Sequence, residues 1–212
     1  MEMLGINNLW LFILSGIILN ILPGPDSLYI VGRTAMQGFR AGSVAAFGIG
    51  TGTIFHILMA AFGLSAILAT SAMAFTVVKI VGAIYLLYMG LSMLFGRSQI
   101  QANDLGASGK VPLRKIYWQG FLTNVLNPKV ALFFLAFVPQ FIDPTAPYKA
   151  LSFIVLGVIF NINGMLWCHF LAFLTAVGSR RIQQNQYITR WLTRLGGALF
   201  AYFGLRLAVS NQ

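Results

Sequence analysis

The chain is dominated by long runs with almost no charge. Six apolar stretches, Asn7–Val31, Ala41–Ala66, Ala72–Phe95, Ile116–Phe141, Ala150–Val177 and Trp191–Val209, take up most of its 212 residues. Each approaches or exceeds the ~20 residues that a helix rising 1.5 Å per residue needs to cross a hydrocarbon layer. In lipid every backbone N–H and C=O must find a partner inside the protein, and a helix meets that demand within one segment. The expected fold is therefore an all-α integral membrane protein with six transmembrane helices. Composition agrees: 58% of residues are hydrophobic and 8% charged, against ~25% charged in a soluble domain. A soluble enzyme, a disordered chain and a secreted disulfide scaffold are excluded. The only cysteine, Cys168, permits no internal disulfide and no paired-thiol carrier. Leu9–Leu22 resembles a signal-peptide core, but only Glu2 precedes it as a charge and the apolar run continues, so it reads as a retained first span.

A net charge of +10 would suggest nucleic acid in a soluble protein. Here the basic residues cluster in connections instead, and nucleic acid is not an expected partner. Arg33, Arg40, Arg97, Lys110, Arg114, Lys115, Arg180, Arg181, Arg190 and Arg194 follow spans one, three and five, making 10 of the 14 basic residues. The positive-inside rule then puts loops 1–2, 3–4 and 5–6 in the cytoplasm and both termini outside, which means the periplasm for a bacterial inner membrane. Trp10, Trp118 and Trp191 lie near span ends, as an interfacial belt requires.

The single membrane domain, 1–212, divides into two similar halves. Residues 1–95 and 114–212 each hold three spans, joined by the polar cytoplasmic linker 96–113. GIILNILPGP (Gly16–Pro25) lies over GFLTNVLNPK (Gly120–Lys129), GTIFHI (Gly52–Ile57) over GVIFNI (Gly157–Ile162), and KIVGAIY (Lys79–Tyr85) over RLGGALF (Arg194–Phe200). An odd number of spans per half makes the second half enter the membrane upside down, the inverted repeat of many secondary transporters.

Such repeats place substrate near the bilayer midplane on interrupted helices. Span one is broken at Pro23-Gly24-Pro25 and span four at Asn127-Pro128. A helix-interior proline removes one hydrogen bond and clashes with the carbonyl four residues back. The freed backbone groups are candidate ligands for a polar solute. Asp26 follows the first break and Lys129 the second. Ionised groups inside a membrane cost ~2.5–3.5 kcal/mol on insertion scales and face the bundle interior. Two readings stay open: a structural Asp26–Lys129 ion pair, or a site where Asp26 takes a proton or an ammonium while Lys129 and nearby amides meet a carboxylate. Asn20 and Asn124 precede the breaks at equivalent positions, and His56 matches Asn161, with Asn163 close by. These polar side chains are candidate lining residues. Two histidines and one cysteine without ligand spacing predict no metal site and no cofactor. Gly48, Gly50 and Gly52 follow no strand, so they read as a close helix contact rather than a dinucleotide loop. Glycine-rich faces suit internal packing and pairing of two copies equally, so a homodimer stays open.

PGPDSLYIVGR after the first apolar run and GFLTNVLNPKVALFFLAFVPQFI in the fourth resemble the LysE/RhtB superfamily of bacterial amino-acid exporters. The likeness covers nearly the whole chain and leans to the branch for neutral amino acids such as threonine, homoserine, its lactone, or leucine. It implies efflux of a small amino acid across the inner membrane, driven by protons, with Pro23, Gly24, Pro25 and Asp26 as one motif and Asn127, Pro128 and Lys129 as the other. The expected mechanism is antiport by alternating access. An exporter of another solute or metal ion on the same fold, or a passive channel, is the alternative. An enzyme would need more intramembrane acids or a nucleophile with a base. No G-x-x-x-x-G-K-[ST] is present for ATP.

Overall fold

The computed structural model describes residues 4–64 and 111–178, with isolated helical positions between 73 and 91 and between 194 and 205. The described part is helical, as the uncharged runs require. Helix α1 (Leu9–Ile21) gives way at the first break to α2 (Pro25–Gln37), and α3 (Phe39–Leu58) ends in a π-helical turn over Met59–Leu64. In the second half, α4 (Leu113–Val125) breaks before α5 (Pro128–Leu132), which continues through a π turn (Phe133–Phe137) and a 3-10 turn (Val138–Phe141); α6 (Lys149–Val177) follows.

α3 with its π turn and α6 are each long and apolar enough to cross a bilayer alone. Among the described residues two further helix pairs are long and apolar enough together, and both are bent, α1–α2 by 49° and α4–α5 by 47°. In both, proline at the first helical position starts the new segment, where its missing N–H costs nothing. Gly38, at φ 79°, turns the chain directly from α2 into α3, a conformation open to glycine without strain. The start of span one is stitched to the end of span four by Asn7 N–H to Phe141 O (2.9 Å) and Asp143 N–H to Gly5 O (2.8 Å), so these two spans run antiparallel.

α3 packs most closely on α4, then on α6 and α2. A Cβ on Gly48 would overlap the Tyr117 carbonyl, and one on Gly120 would stand 2.7 Å from the Ala45 carbonyl oxygen. The glycine motif thus lets two backbones touch. Between α1, α5 and α6 the core is aromatic: Phe12, Phe133, Phe134, Phe137, Phe141 and Phe160 are buried, and the Phe133 and Phe160 rings stack at 4.3 Å. Large apolar side chains such as Leu166 (67% exposed) and Val177 (70%) point outward, as a lipid-facing surface demands.

One expectation is corrected. Arg33 is not in the loop after span one. That span stays helical to Gln37, and Arg33 is buried between α2 and α4 because Gln119 meets its guanidinium there. Most of the third repeat match falls outside the described residues, as do Arg97, Lys110, Arg180, Arg181 and Arg190; Arg40, Arg114, Lys115 and Arg194 are described and exposed.

Candidate functional site: a polar hollow between two broken spans

Each proline break frees a carbonyl four residues earlier, and each freed carbonyl is met by a side chain from the other half. Pro23 has no N–H for the Leu19 carbonyl. The Lys129 ammonium donates to Leu19 O (3.2 Å) and to Leu22 O (3.1 Å). Pro128 likewise has no N–H for the Asn124 carbonyl. Asn127 N–H reaches it at 2.9 Å and His56 Nε2 at 3.1 Å. A carbonyl only accepts, so His56 carries its proton on Nε2. Its ring lies parallel to that of Phe134.

Asn124 links the two breaks. Its Nδ2 donates to Asp26 Oδ2 at 2.8 Å, and its Oδ1 accepts from Thr53 at 3.4 Å. Asp26 stands in the first turn of α2, where the positive end of the helix favours a carboxylate. Its other oxygen, Oδ1, is buried without a hydrogen-bond partner. At the second break Asn127 caps α5, its Oδ1 accepting Lys129 N–H at 3.0 Å while its Nδ2 stays unbonded.

The direct Asp26–Lys129 ion pair weighed from sequence is not formed. Asp26 is held by an amide and Lys129 by carbonyls, with no salt bridge between them. Both still line one interior hollow, together with Asn20, Asn124, Thr53 and Asn161, over an apolar floor that includes Ile49, Phe160, Met165 and Cys168. Asn20 donates to Phe160 O at 3.5 Å, the outer edge of a hydrogen bond. Asn161 faces the hollow without a hydrogen bond. Asn163, two residues on, is turned away from it. Pro23, Gly24, Pro25, Asn127, Pro128 and His56 shape the walls from behind rather than lining the space. A Cβ on Gly24 would stand 3.3 Å from Lys129 Nζ, so the first break is pressed against that ammonium. The hollow measures about 30 Å³, room for a water or two. An amino acid enters only if the surrounding helices part. Among the described residues no cluster of three His, Cys, Asp or Glu is placed to hold a metal ion.

Sequence reasoning passed over Thr53 and the Tyr29–Arg33–Gln119 cluster. Tyr29 OH has one hydrogen to give and lies 2.9 Å from Ile116 O and 3.1 Å from Gln119 Oε1, and Arg33 donates to the same Gln119 oxygen at 2.9 Å. The available signal was spacing: Asp26, Tyr29 and Arg33 fall at i, i+3 and i+7, one face of a helix.

A profile of LysE type translocators matches residues 17–211. The chain belongs to the LysE-type translocator family. It is a membrane transport protein and not an enzyme. Over its full length it is 33% identical to an uncharacterized membrane protein of Pseudomonas aeruginosa, PA4757, covering 99% of that protein. It is 29% identical to the leucine efflux protein of Salmonella typhimurium, covering 96% of each chain. A third relative, the uncharacterized membrane protein YrhP of Bacillus subtilis, is 30% identical over 90% of this chain and 93% of its own. No solved structure matches.

Proposed function

We propose that this LysE-type translocator is a secondary exporter of small neutral amino acids of leucine type across the bacterial inner membrane, exchanging substrate for protons by alternating access. The observation that carries the reading is the meeting of both breaks at one polar hollow. A zwitterion needs an anion and a cation held a few ångströms apart. Asp26, with a free carboxylate oxygen, faces the substrate ammonium. Lys129 and the first-turn amides of α2 face the carboxylate, an arrangement in which helix ends supply partial charge. The remaining wall, from Ile49 to Met165, offers apolar surface and no second acid for a cationic side chain.

Two near-equal bends, antiparallel first and fourth spans, and Asn20 reaching the fifth span while Asn124 meets the second support the inverted repeat. The exposed cations of the α3 and α4 starts, Arg40, Arg114 and Lys115, support a cytoplasmic position for that end. The relatives named leucine efflux protein point to leucine as the first probe.

The test is counterflow in liposomes holding the purified chain. Unlabelled leucine inside should accelerate uptake of labelled leucine. The same leucine should slow alkylation of Cys168, the sole cysteine and a wall of the hollow, by a small maleimide. Equal uptake with and without internal leucine would show a passive pore, and Cys168 alkylation indifferent to every transported solute would remove the hollow as the site.

A further inference from the structure

Arg33 is a buried guanidinium without an anion among the described residues. It makes one hydrogen bond, to the neutral Gln119 amide, and its Nε is buried with no partner. Neither described acid, Asp26 nor Asp143, pairs with it. Among the described residues its other neighbour is Tyr29 on its own helix: the guanidinium lies over that ring, 5.4 Å from the ring centre, and interacts with its hydroxyl, but neither group supplies a negative charge. Buried charges are as a rule paired, and a guanidinium is shaped for a carboxylate, which it grips with two parallel N–H groups.

Its location gives that vacancy a direction. Arg33 lies seven residues after Asp26 on the same face of α2, a rise of ~10 Å. Gln119 lies on α4 one turn and a half before Asn124, so the polar contacts between α2 and α4 run as a seam from the hollow to the end where these helices meet solvent. Exposed Arg40, Arg114 and Lys115 surround that end. A mouth lined by one sign of charge raises the local concentration of anions. The Gln119 oxygen already accepts from Arg33, with the Tyr29 hydroxyl 3.1 Å away, while its amide N–H groups make no bond and are available to an incoming oxygen.

We propose that Arg33, bracketed by Tyr29 and Gln119, receives the carboxylate of the transported amino acid before it passes along the α2–α4 seam to the central hollow. The assignment rests on the exporter reading above and adds a second, earlier binding step to it. A substrate leaving Arg33 for the hollow trades one cation for another, Lys129, while its ammonium approaches Asp26.

The experiment is leucine counterflow in liposomes with wild type, Arg33→Gln and Gln119→Glu. The competitors are 4-methylpentanoate, which is leucine without its amino group, and 3-methylbutylamine, which is leucine without its carboxylate. In the wild type 4-methylpentanoate competes. Arg33→Gln raises the half-saturating leucine concentration about tenfold with little change in maximal rate, the pattern of lost uniform binding, and 4-methylpentanoate no longer competes while the amine is unaffected. Gln119→Glu sets a permanent carboxylate against Arg33 and keeps its neighbours hydrogen-bonded, so it folds if Arg33→Gln does not. It has the same two effects. Unchanged half-saturation and unchanged competition in Gln119→Glu overturn the assignment while leaving the exporter intact, because the guanidinium then serves only to join α2 to α4. A wild type without counterflow for any amino acid overturns the exporter reading and this step with it.

Discussion

Replacing Lys129 by Met should weaken the protein through a carbonyl 110 positions away in the chain. The ammonium donates to Leu19 O at 3.2 Å and Leu22 O at 3.1 Å, and the first of these has no helical partner because Pro23 lacks an N–H. Hydrogen bonds to charged groups are worth about 1.5–3 kcal/mol in soluble proteins. Side-chain bonds within membranes average ~0.6 and reach ~1.7 kcal/mol. Loss of both contacts should therefore cost about 1–3 kcal/mol. A second change isolates the cause. Pro23→Ala restores an N–H for Leu19 O, so one of the two bonds becomes redundant and Lys129→Met should cost less in that background. The double-mutant cycle, measured by reversible unfolding in mixed micelles with tryptophan fluorescence, should give a coupling near the one-bond value, ~0.6–1.7 kcal/mol. A coupling inside the ~0.3–0.5 kcal/mol scatter of independent sites would refute the account of Lys129 as the partner of the proline-freed carbonyl. The equivalent cycle on His56→Leu and Pro128→Ala should show a smaller coupling, since Asn127 N–H already serves the Asn124 carbonyl.

Two further outcomes follow from packing and charge. Gly48→Val forces a side chain into the Tyr117 carbonyl and should lower stability by about 1–3 kcal/mol, seen as a fall in detergent melting temperature, whereas Gly63→Ala, with nothing within 4 Å of the added carbon, should not. Outside the membrane, Thr145 donates its N–H (2.7 Å) and hydroxyl (2.6 Å) to Asp143 Oδ1, and these bonds hold the Asp143 carboxyl below the usual range. A depressed carboxyl adds stability that is full above its unfolded pKa and is lost as pH falls through the folded one. Thr145→Val should raise the Asp143 midpoint in a carbon-13 titration; an unmoved midpoint would assign the depression to other charges.

Most of the span architecture was readable because lipid admits so few backbone solutions. The proline breaks were readable for the same reason, and their bends of 49° and 47° match the positions of Pro23–Pro25 and Asn127-Pro128. What was not readable was partner choice. Two opposite charges beside two breaks suggest an ion pair, yet each found a nearer neutral partner: Asp26 the Asn124 amide, Lys129 the carbonyls of α1. Counting back four residues from each proline would have named Leu19 and Asn124 as groups in need, though not which side chains answer them. Arg33 was placed in a loop because hydropathy treats any arginine as a span end, and it has no means of weighing Gln119, 86 residues on. The repeat match singled out Asn161 opposite His56, and Asn163 stood beside it only as a nearby amide. Helical geometry separates them by about 200°, and only the first joins Gly164, Met165 and Cys168 on the hollow's face.

The tight crossing of α3 over α4 restricts how such a carrier can cycle. α3 lies before the polar linker and α4 after it, and at Gly48 and Gly120 main chain rests directly on main chain with no side chain to act as a lubricant. Sliding there would have to unseat both ridges at once, so these helices travel as one frame. Among the described residues the joints left are the two kinks, so on the exporter reading proposed above turnover would be a swing of short half-helices against a fixed chassis rather than a seesaw of one bundle on its twin.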